Sequence, residues 1–99
     1  MNKEKSPVAP GELLYKKFML PNGITKYRLA KEINVPAQRI GDIVAGKRAI
    51  TVDTDVRLSR YFGVSRGYWL HTQALYDTQL AEDTLADQLA AITPLAGAL

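Results

Sequence analysis

Gln38 and Arg39 are adjacent in the chain, and both side chains can read the edges of DNA bases. Glutamine can form two hydrogen bonds with adenine and arginine two with guanine, while the preceding Ala37 offers apolar contact to the methyl group of thymine. Such residues read bases when the start of a helix carries them into the major groove. We therefore predict that Ala37, Gln38 and Arg39 contact bases.

Three cations flank this triplet: Lys26 precedes it, and Lys47 and Arg48 follow it. Contacts from such side chains to DNA phosphates fix the register of a protein on the duplex without reading its sequence. We predict that Lys26, Lys47 and Arg48 bind the DNA backbone. Asp42 could accept a hydrogen bond from cytosine or orient Arg39, and a solvated surface acid is the alternative.

The 21 residues from Lys26 to Gly46 have the pattern that would position these side chains, namely two short helices around a tight turn. Apolar residues recur at helical spacing in both halves, and the small Ala30 lets the second helix approach closely. Asn34 stands where the turn needs a positive φ, which asparagine tolerates, and Pro36 suits the first turn of the next helix. A helical hairpin within an all-α bundle is the alternative interpretation.

Further helices are predicted on both sides of this segment. Pro10 suits the first turn of a leading helix, and Thr25 suits the cap of the second. Thr51 would cap a fourth helix that Gly63 ends, and Ser65 would cap a fifth. Together these signals predict five helices.

An apolar content of 46% in 99 residues predicts one compact domain with a single core. We expect an all-α, five-helix domain over residues 10–81, a flexible lead over residues 1–9, and a partly helical extension over residues 82–99. Gly67 is awkward near the start of the fifth helix, because glycine costs about 1 kcal/mol relative to alanine inside a helix.

Charge is divided unevenly along the chain. Residues 1–66 hold all 13 lysines and arginines against six acids, whereas residues 67–99 hold four acids and no lysine or arginine. This division predicts a polyanion as the partner of the basic part and something other than nucleic acid as the partner of the acidic end.

Catalytic and metal chemistry have little support in the sequence. His71 is the single histidine and there is no cysteine, which excludes Cys-His catalysis and histidine-rich metal sites. Asp53 and Asp55 would point to different sides of a helix, so they suit a cap and a surface charge better than a paired acid and base. No glycine-rich phosphate loop occurs. We expect no enzyme activity, no metal and no cofactor.

The apolar runs are too short for a membrane span or the core of a signal peptide, and the first six residues are polar. The absence of cysteine fits a reducing compartment. The sequence therefore predicts a soluble cytoplasmic protein.

Three elements in this order support a family resemblance: Pro10-Gly11-Glu12, Gly46-Lys47-Arg48, and Trp69-Leu70 followed by Gln73 and Tyr76-Asp77. Over residues 9 to about 81 the chain resembles the HigA-type antitoxins within the Xre and lambda-repressor-like helix-turn-helix superfamily. The resemblance implies an antitoxin that neutralises a RelE- or HigB-like ribonuclease toxin and represses its own operon as a dimer.

The chain departs from that family pattern at three places. Ala9 stands where histidine is usual before Pro-Gly, Arg66-Gly67 replace a common Pro-Glu pair, and Lys26 replaces a glutamine. The change at Lys26 replaces an amide with an ammonium group, so a cation stands at this position.

We further predict a two-fold dimer on a palindromic operator, because one short recognition helix reads few bases. Apolar and aromatic residues of the fifth helix and the extension are the candidates for the dimer interface: Trp69, Leu70, His71, Tyr76, Leu85, Leu89 and Ile92. Trp69 and Leu70 could instead complete the core.

The toxin should bind away from the third helix, either on the acidic flank of the fifth helix or on the helix over Pro10–Lys17. A stand-alone, phage-type repressor without a toxin is one alternative function. A protein-interaction adaptor without DNA binding is the alternative of another class.

Overall fold

The computed structural model describes residues 8–97, in which helices are joined by turns and loops and no strand occurs. The helices are α1 (Pro10–Leu13), a π-helix (Leu14–Met19), α2 (Lys26–Ile33), α3 (Ala37–Val44), α4 (Val52–Phe62), α5 (Tyr68–Thr84) and α6 (Ala86–Ala90). The π-helix continues α1, so the all-α, five-helix prediction is confirmed, and α6 lies within the predicted extension. Of the predicted flexible lead, residues 1–7 lie outside the described residues. Between residues 8 and 97, no helix has the length and apolar character needed to cross a bilayer.

The first helix packs unusually close to α3. It starts at Pro10, as predicted, and Gly11 is buried against the backbone of α3. A Cβ atom added at Gly11 would lie 1.8 Å from the carbonyl oxygen of Ile43, which is far inside van der Waals contact. Only glycine therefore lets the two helices meet at this distance.

Local signals shape the helix-turn-helix itself. The side-chain oxygen of Thr25 accepts a hydrogen bond from the backbone N–H of Arg28 at 3.0 Å, which confirms the predicted cap of α2. Asn34 ends α2 with φ of 60°, as predicted. Pro36 occupies the cap position before α3 instead of its first turn, and Gly46 follows α3 with φ of 78°.

The core lies where α2, α3, α4, the start of α5 and the π-helix meet. Ten apolar residues are buried there: Leu14, Met19, Leu29, Ala30, Ile33, Ile40, Ile43, Ile50, Leu58 and Trp69. Aromatic rings extend it, with centroids of Phe18 and Trp69 4.8 Å apart and those of Tyr68 and Trp69 5.0 Å apart. Burial of these apolar side chains is the main stabilising contribution to the fold.

The start of α5 is capped from another helix. Asp55 of α4 is 1% exposed, and its carboxylate accepts backbone N–H hydrogen bonds from Gly67 at 2.6 Å, Trp69 at 2.8 Å and Leu70 at 3.2 Å. A carboxylate at this end also complements the helix dipole. The prediction that Ser65 caps α5 is therefore wrong, as is the interpretation of Asp55 as a surface charge.

Two further expectations are corrected at the helix starts. Gly67 occupies the cap position of α5 with φ of 88°, outside the helix, so the expected cost of a glycine within the helix does not arise. Thr51 precedes α4 but makes no side-chain cap hydrogen bond.

The chain ends in an extended helical arm. We use this term for residues 77–97, all of which are exposed. The arm contains the second half of α5, which runs to Thr84 through the predicted boundary at residue 81, and all of α6. The molecule measures 51 × 30 × 21 Å along its principal axes.

Candidate nucleic-acid interface

The first turn of α3 places two of the predicted base-reading residues on the surface. Ala37 and Gln38 are exposed, whereas Ile40 and Ile43 of the same helix are buried in the core. Burial of that face turns the opposite face of α3 toward solvent. Within the described range, residues 8–97, nothing bonds the Gln38 amide, so it is available to a base edge.

Arg39 points in a different direction. Its side chain is 24% exposed, and its Nη1 atom lies 3.3 Å from Oδ1 of Asp53 on α4. Among residues 8–97, the acid that bonds Arg39 is thus Asp53, and not Asp42 as one sequence interpretation had it. Base reading by Arg39 stays a prediction, and the pairing with Asp53 competes with it.

Asp53 has a second and closer partner. The Nε atom of Arg57 donates to Oδ1 of Asp53 at 2.7 Å, and Nη1 of Arg57 donates to the backbone oxygens of Ile33 at 2.9 Å and Asn34 at 3.3 Å. The hydrogen bond from Arg57, with smaller contributions from both arginine charges, holds the pKa of Asp53 below its ordinary value.

Sequence reasoning gave Arg57 no role. The spacing of Asp53 and Arg57, four residues apart, is a signal for a helical ion pair and could have indicated their contact. The bonds from Arg57 to Ile33 and Asn34 span 24 and 23 residues, and no local pattern indicates them.

The three predicted phosphate-binding cations are all exposed. Lys26 is the first residue of α2, and Lys47 and Arg48 lie in the loop between α3 and α4. The far end of that loop is held by α5, because Oε1 of Gln73 accepts a hydrogen bond from the backbone N–H of Ile50 at 3.0 Å. Gln73 is thus a loop anchor, a role that the sequence pattern did not reveal.

The predicted dimer residues divide into two groups. Trp69 is 0% exposed, so its side chain is part of the core, and the prediction that it contacts a second copy is wrong. Leu70 and Tyr76 are partly exposed and His71 is exposed. Leu85 and Leu89 are 37% and 41% exposed. Apart from Trp69, these residues stay candidates for the interface.

The arm and the first half of α5 expose apolar side chains beyond those that the sequence assigned to the interface. Ile92, a predicted interface residue, is 66% exposed, and Leu75, Leu80 and Leu95, which were not predicted, are 60%, 43% and 79% exposed. Residues 67–99 contain four acids and no lysine or arginine, and these acids are exposed between the apolar side chains: Asp77, Glu82, Asp83 and Asp87. A surface that combines apolar and acidic side chains suits a protein partner better than DNA.

Comparisons with known proteins support the same interpretation of the fold. A helix-turn-helix family model, HTH_3, matches residues 16–69. Virulence-associated protein I of Dichelobacter nodosus is 42% identical over 79 residues, which are 80% of this chain and 73% of that protein.

Two solved structures extend the likeness over nearly the whole chain. The antitoxin HigA of Pseudomonas aeruginosa, solved with the higBA promoter, is 34% identical with a TM-score of 0.84, over 90% of this chain and 98% of that one. An addiction module antidote protein of the HigA family from Coxiella burnetii is 32% identical with a TM-score of 0.85, over 92% and 100%. The chain therefore belongs to the HTH_3 helix-turn-helix family and is of the HigA type within it.

Proposed function

We propose that this protein is an antitoxin that binds the operator of its own operon and represses its transcription. The observation that carries the proposal is the exposed start of α3, where Ala37 and Gln38 are available to base edges within a helix-turn-helix. The likeness to HigA solved with the higBA promoter supports operator DNA as the ligand. Such a repressor acts in the cytoplasm, where the operator is.

Base edges and phosphates are recognised by different residues in this proposal. Ala37 and Gln38 enter the major groove, where glutamine pairs with adenine. Lys26, Lys47 and Arg48 neutralise phosphates, which contributes affinity for any DNA and makes binding dependent on salt.

Repression requires two copies of the chain. One α3 contacts only a few base pairs, so a two-fold dimer on a palindrome gives the needed affinity, with half-sites about 34–36 Å apart or a multiple of this distance. Leu70, His71, Tyr76, Leu85 and Leu89 are the proposed interface residues, since burying Leu85, between α5 and α6, and Leu89 of α6 against a second copy removes apolar surface from water.

The toxin partner is a RelE- or HigB-like ribonuclease that binds away from α3. Asp77, Glu82, Asp83 and Asp87 offer a basic enzyme a complementary charged surface. Opposite charges increase the association rate more than the affinity, so association should slow as salt is added. This arrangement leaves the operator face free, which lets the toxin complex repress as well.

Two experiments test the proposed function. Binding to a duplex from the promoter of its own gene should exceed binding to a scrambled duplex of the same composition at the same salt. Coexpression with the adjacent reading frame should abolish the toxicity of that product and yield a complex. If the product is harmless alone, or remains toxic and unbound, the protein is a stand-alone repressor. If no duplex is preferred, it is a protein-interaction adaptor.

A further inference from the structure

An ion-pair network built on Asp53 and Arg57 of α4 joins this helix to α2 and α3, which present proposed DNA contacts. Asp53, at the start of α4, accepts hydrogen bonds from Arg57 of the same helix at 2.7 Å and from Arg39 of α3 at 3.3 Å. Arg57 also donates to the backbone oxygens of Ile33 and Asn34, the last residue of α2 and the first of the turn. We call Arg39, Asp53 and Arg57 the α4 clamp.

The clamp restrains the turn from both of its sides. The carbonyl groups at the end of α2 lack partners within the helix and carry partial negative charge, so a guanidinium there is favourable. A planar guanidinium can bond a carboxylate and a carbonyl at the same time, which a lysine ammonium does less well. Through Asp53, the guanidinium of Arg57 is also linked to Arg39, the third residue of α3.

We propose that Asp53 and Arg57 are positioning residues for DNA reading, and that Arg39 is their anchor on α3 and not a base-reading residue. The inference rests on the proposed operator binding. Its consequence is that the clamp fixes the angle of α3 against α2, so that Gln38 meets a base edge without rearrangement. A functional site needs its contact residues held to about 0.5 Å by such supporting bonds.

Two roles of Asp53, repulsion of phosphates and positioning of α3, predict different effects on DNA affinity when its charge is removed. An exposed carboxylate beside a DNA surface repels phosphates, so removing its charge strengthens binding to any duplex. Positioning affects only the contacts that depend on geometry, which are those to base edges. The ratio of promoter affinity to scrambled-duplex affinity therefore separates the two effects.

The first test compares Asp53→Asn, Asp53→Glu and the unmodified protein on both duplexes at the same salt. We expect Asp53→Asn to bind the scrambled duplex as well as the unmodified protein or better, and to lose about tenfold in the affinity ratio, the lower end of what one base contact contributes. Asp53→Glu keeps the carboxylate and should retain most of the ratio. A gain of equal size on both duplexes would show a simple surface acid and overturn the proposal.

The second test replaces the arginines by lysine, which preserves charge and so leaves the salt dependence unchanged. Arg57→Lys should lower the affinity ratio, whereas Arg60→Lys, the same change at an exposed arginine of α4, should not. Arg39→Lys can still bond Asp53 but lacks the rigid planar guanidinium with which arginine pairs with guanine, so it should weaken a contact of that kind. We expect it to leave the base preference unchanged at every position.

The lysine variants also decide the matter if Asp53→Asn fails to fold. Loss of preference at a single base pair in Arg39→Lys would assign Arg39 to base reading and overturn the proposal. Equal affinity ratios for Arg57→Lys and Arg60→Lys would also overturn it. Failure of the unmodified protein to prefer its promoter would instead refute the proposed function itself.

Discussion

At the scale of single residues, Gln38 carries the clearest prediction of sequence reading. Gln38→Ala should lower promoter affinity by about 1–3 kcal/mol and relax the preference at one base pair, because the amide that pairs with a base is lost. Lys47→Ala is the matched comparison, since it should weaken binding to every duplex and reduce the salt slope by about one. Equal losses on promoter and scrambled DNA for Gln38→Ala would contradict its assignment.

Asp53 gives a prediction for pH. Its pKa in the folded protein is lowered from the ordinary value of 3.8, chiefly by the hydrogen bond from Arg57, so the folded state favours the carboxylate. Its contribution to stability is complete above the unfolded pKa and is lost as the pH falls through the lowered folded value. The difference in Tm between the unmodified protein and Asp53→Asn should thus be constant from pH 7 to about pH 5 and shrink only below about pH 4. A difference that grows on acidification would contradict this.

At the scale of helices, Gly11 has a structural role that substitution can measure. Gly11→Ala should destabilise the protein by about 1–3 kcal/mol, because its methyl group would overlap the backbone of α3 at Ile43. Gly41→Ala is the matched control, since a Cβ there meets no atom within 4 Å and alanine favours a helix. Urea unfolding should therefore show opposite signs for the two variants, and equal signs would contradict the close packing.

The helices that the sequence predicted correctly are those whose signals act within a few residues. Thr25 accepts a hydrogen bond from the N–H of a residue three positions later, and the positive φ at Asn34 depends on the tolerance of that residue type alone. The contacts that were missed join distant residues: Asp55 reaches 12 residues along the chain to Gly67, and Gln73 holds Ile50 across 23 residues. Periodicity and capping rules describe local structure, so they reveal such pairs only after the fold is known.

The candidate site divides in the same way. The exposure of Ala37, Gln38 and the three flanking cations could be predicted from the sequence, because their place relative to the turn determines it, and their contacts with DNA stay predictions. The orientation of Arg39 depends on Asp53 of another helix, and the burial of Trp69 depends on packing against Phe18 and Tyr68. Packing therefore removes Trp69 from the predicted interface, whereas base reading by Arg39 stays a prediction with which its bond to Asp53 competes.

At the scale of the whole molecule, the arm provides the test of assembly. Leu85→Gln together with Leu89→Gln should raise the dimer dissociation constant by about tenfold or more, since each change counts twice across a two-fold interface. Leu20→Gln, the same change at a leucine that is 56% exposed outside α5 and α6, is the control. Sedimentation equilibrium at micromolar concentration measures the dimer dissociation constants of both variants. Equal constants for the double variant and the control would exclude this interface.

The cap that Asp55 places on α5 makes the start of that helix part of the cooperative folding unit of α4. The amide hydrogens of Trp69 and Leu70 bond a buried carboxylate, so they should exchange with solvent only when the core unfolds. Amides of residues 80–90 lie in the exposed arm and should exchange much faster in the free chain. Native-state hydrogen exchange therefore reports whether a partner is bound to the arm. A second copy or a toxin bound there would slow the exchange of amides 80–90 and leave the exchange of Trp69 and Leu70 unchanged.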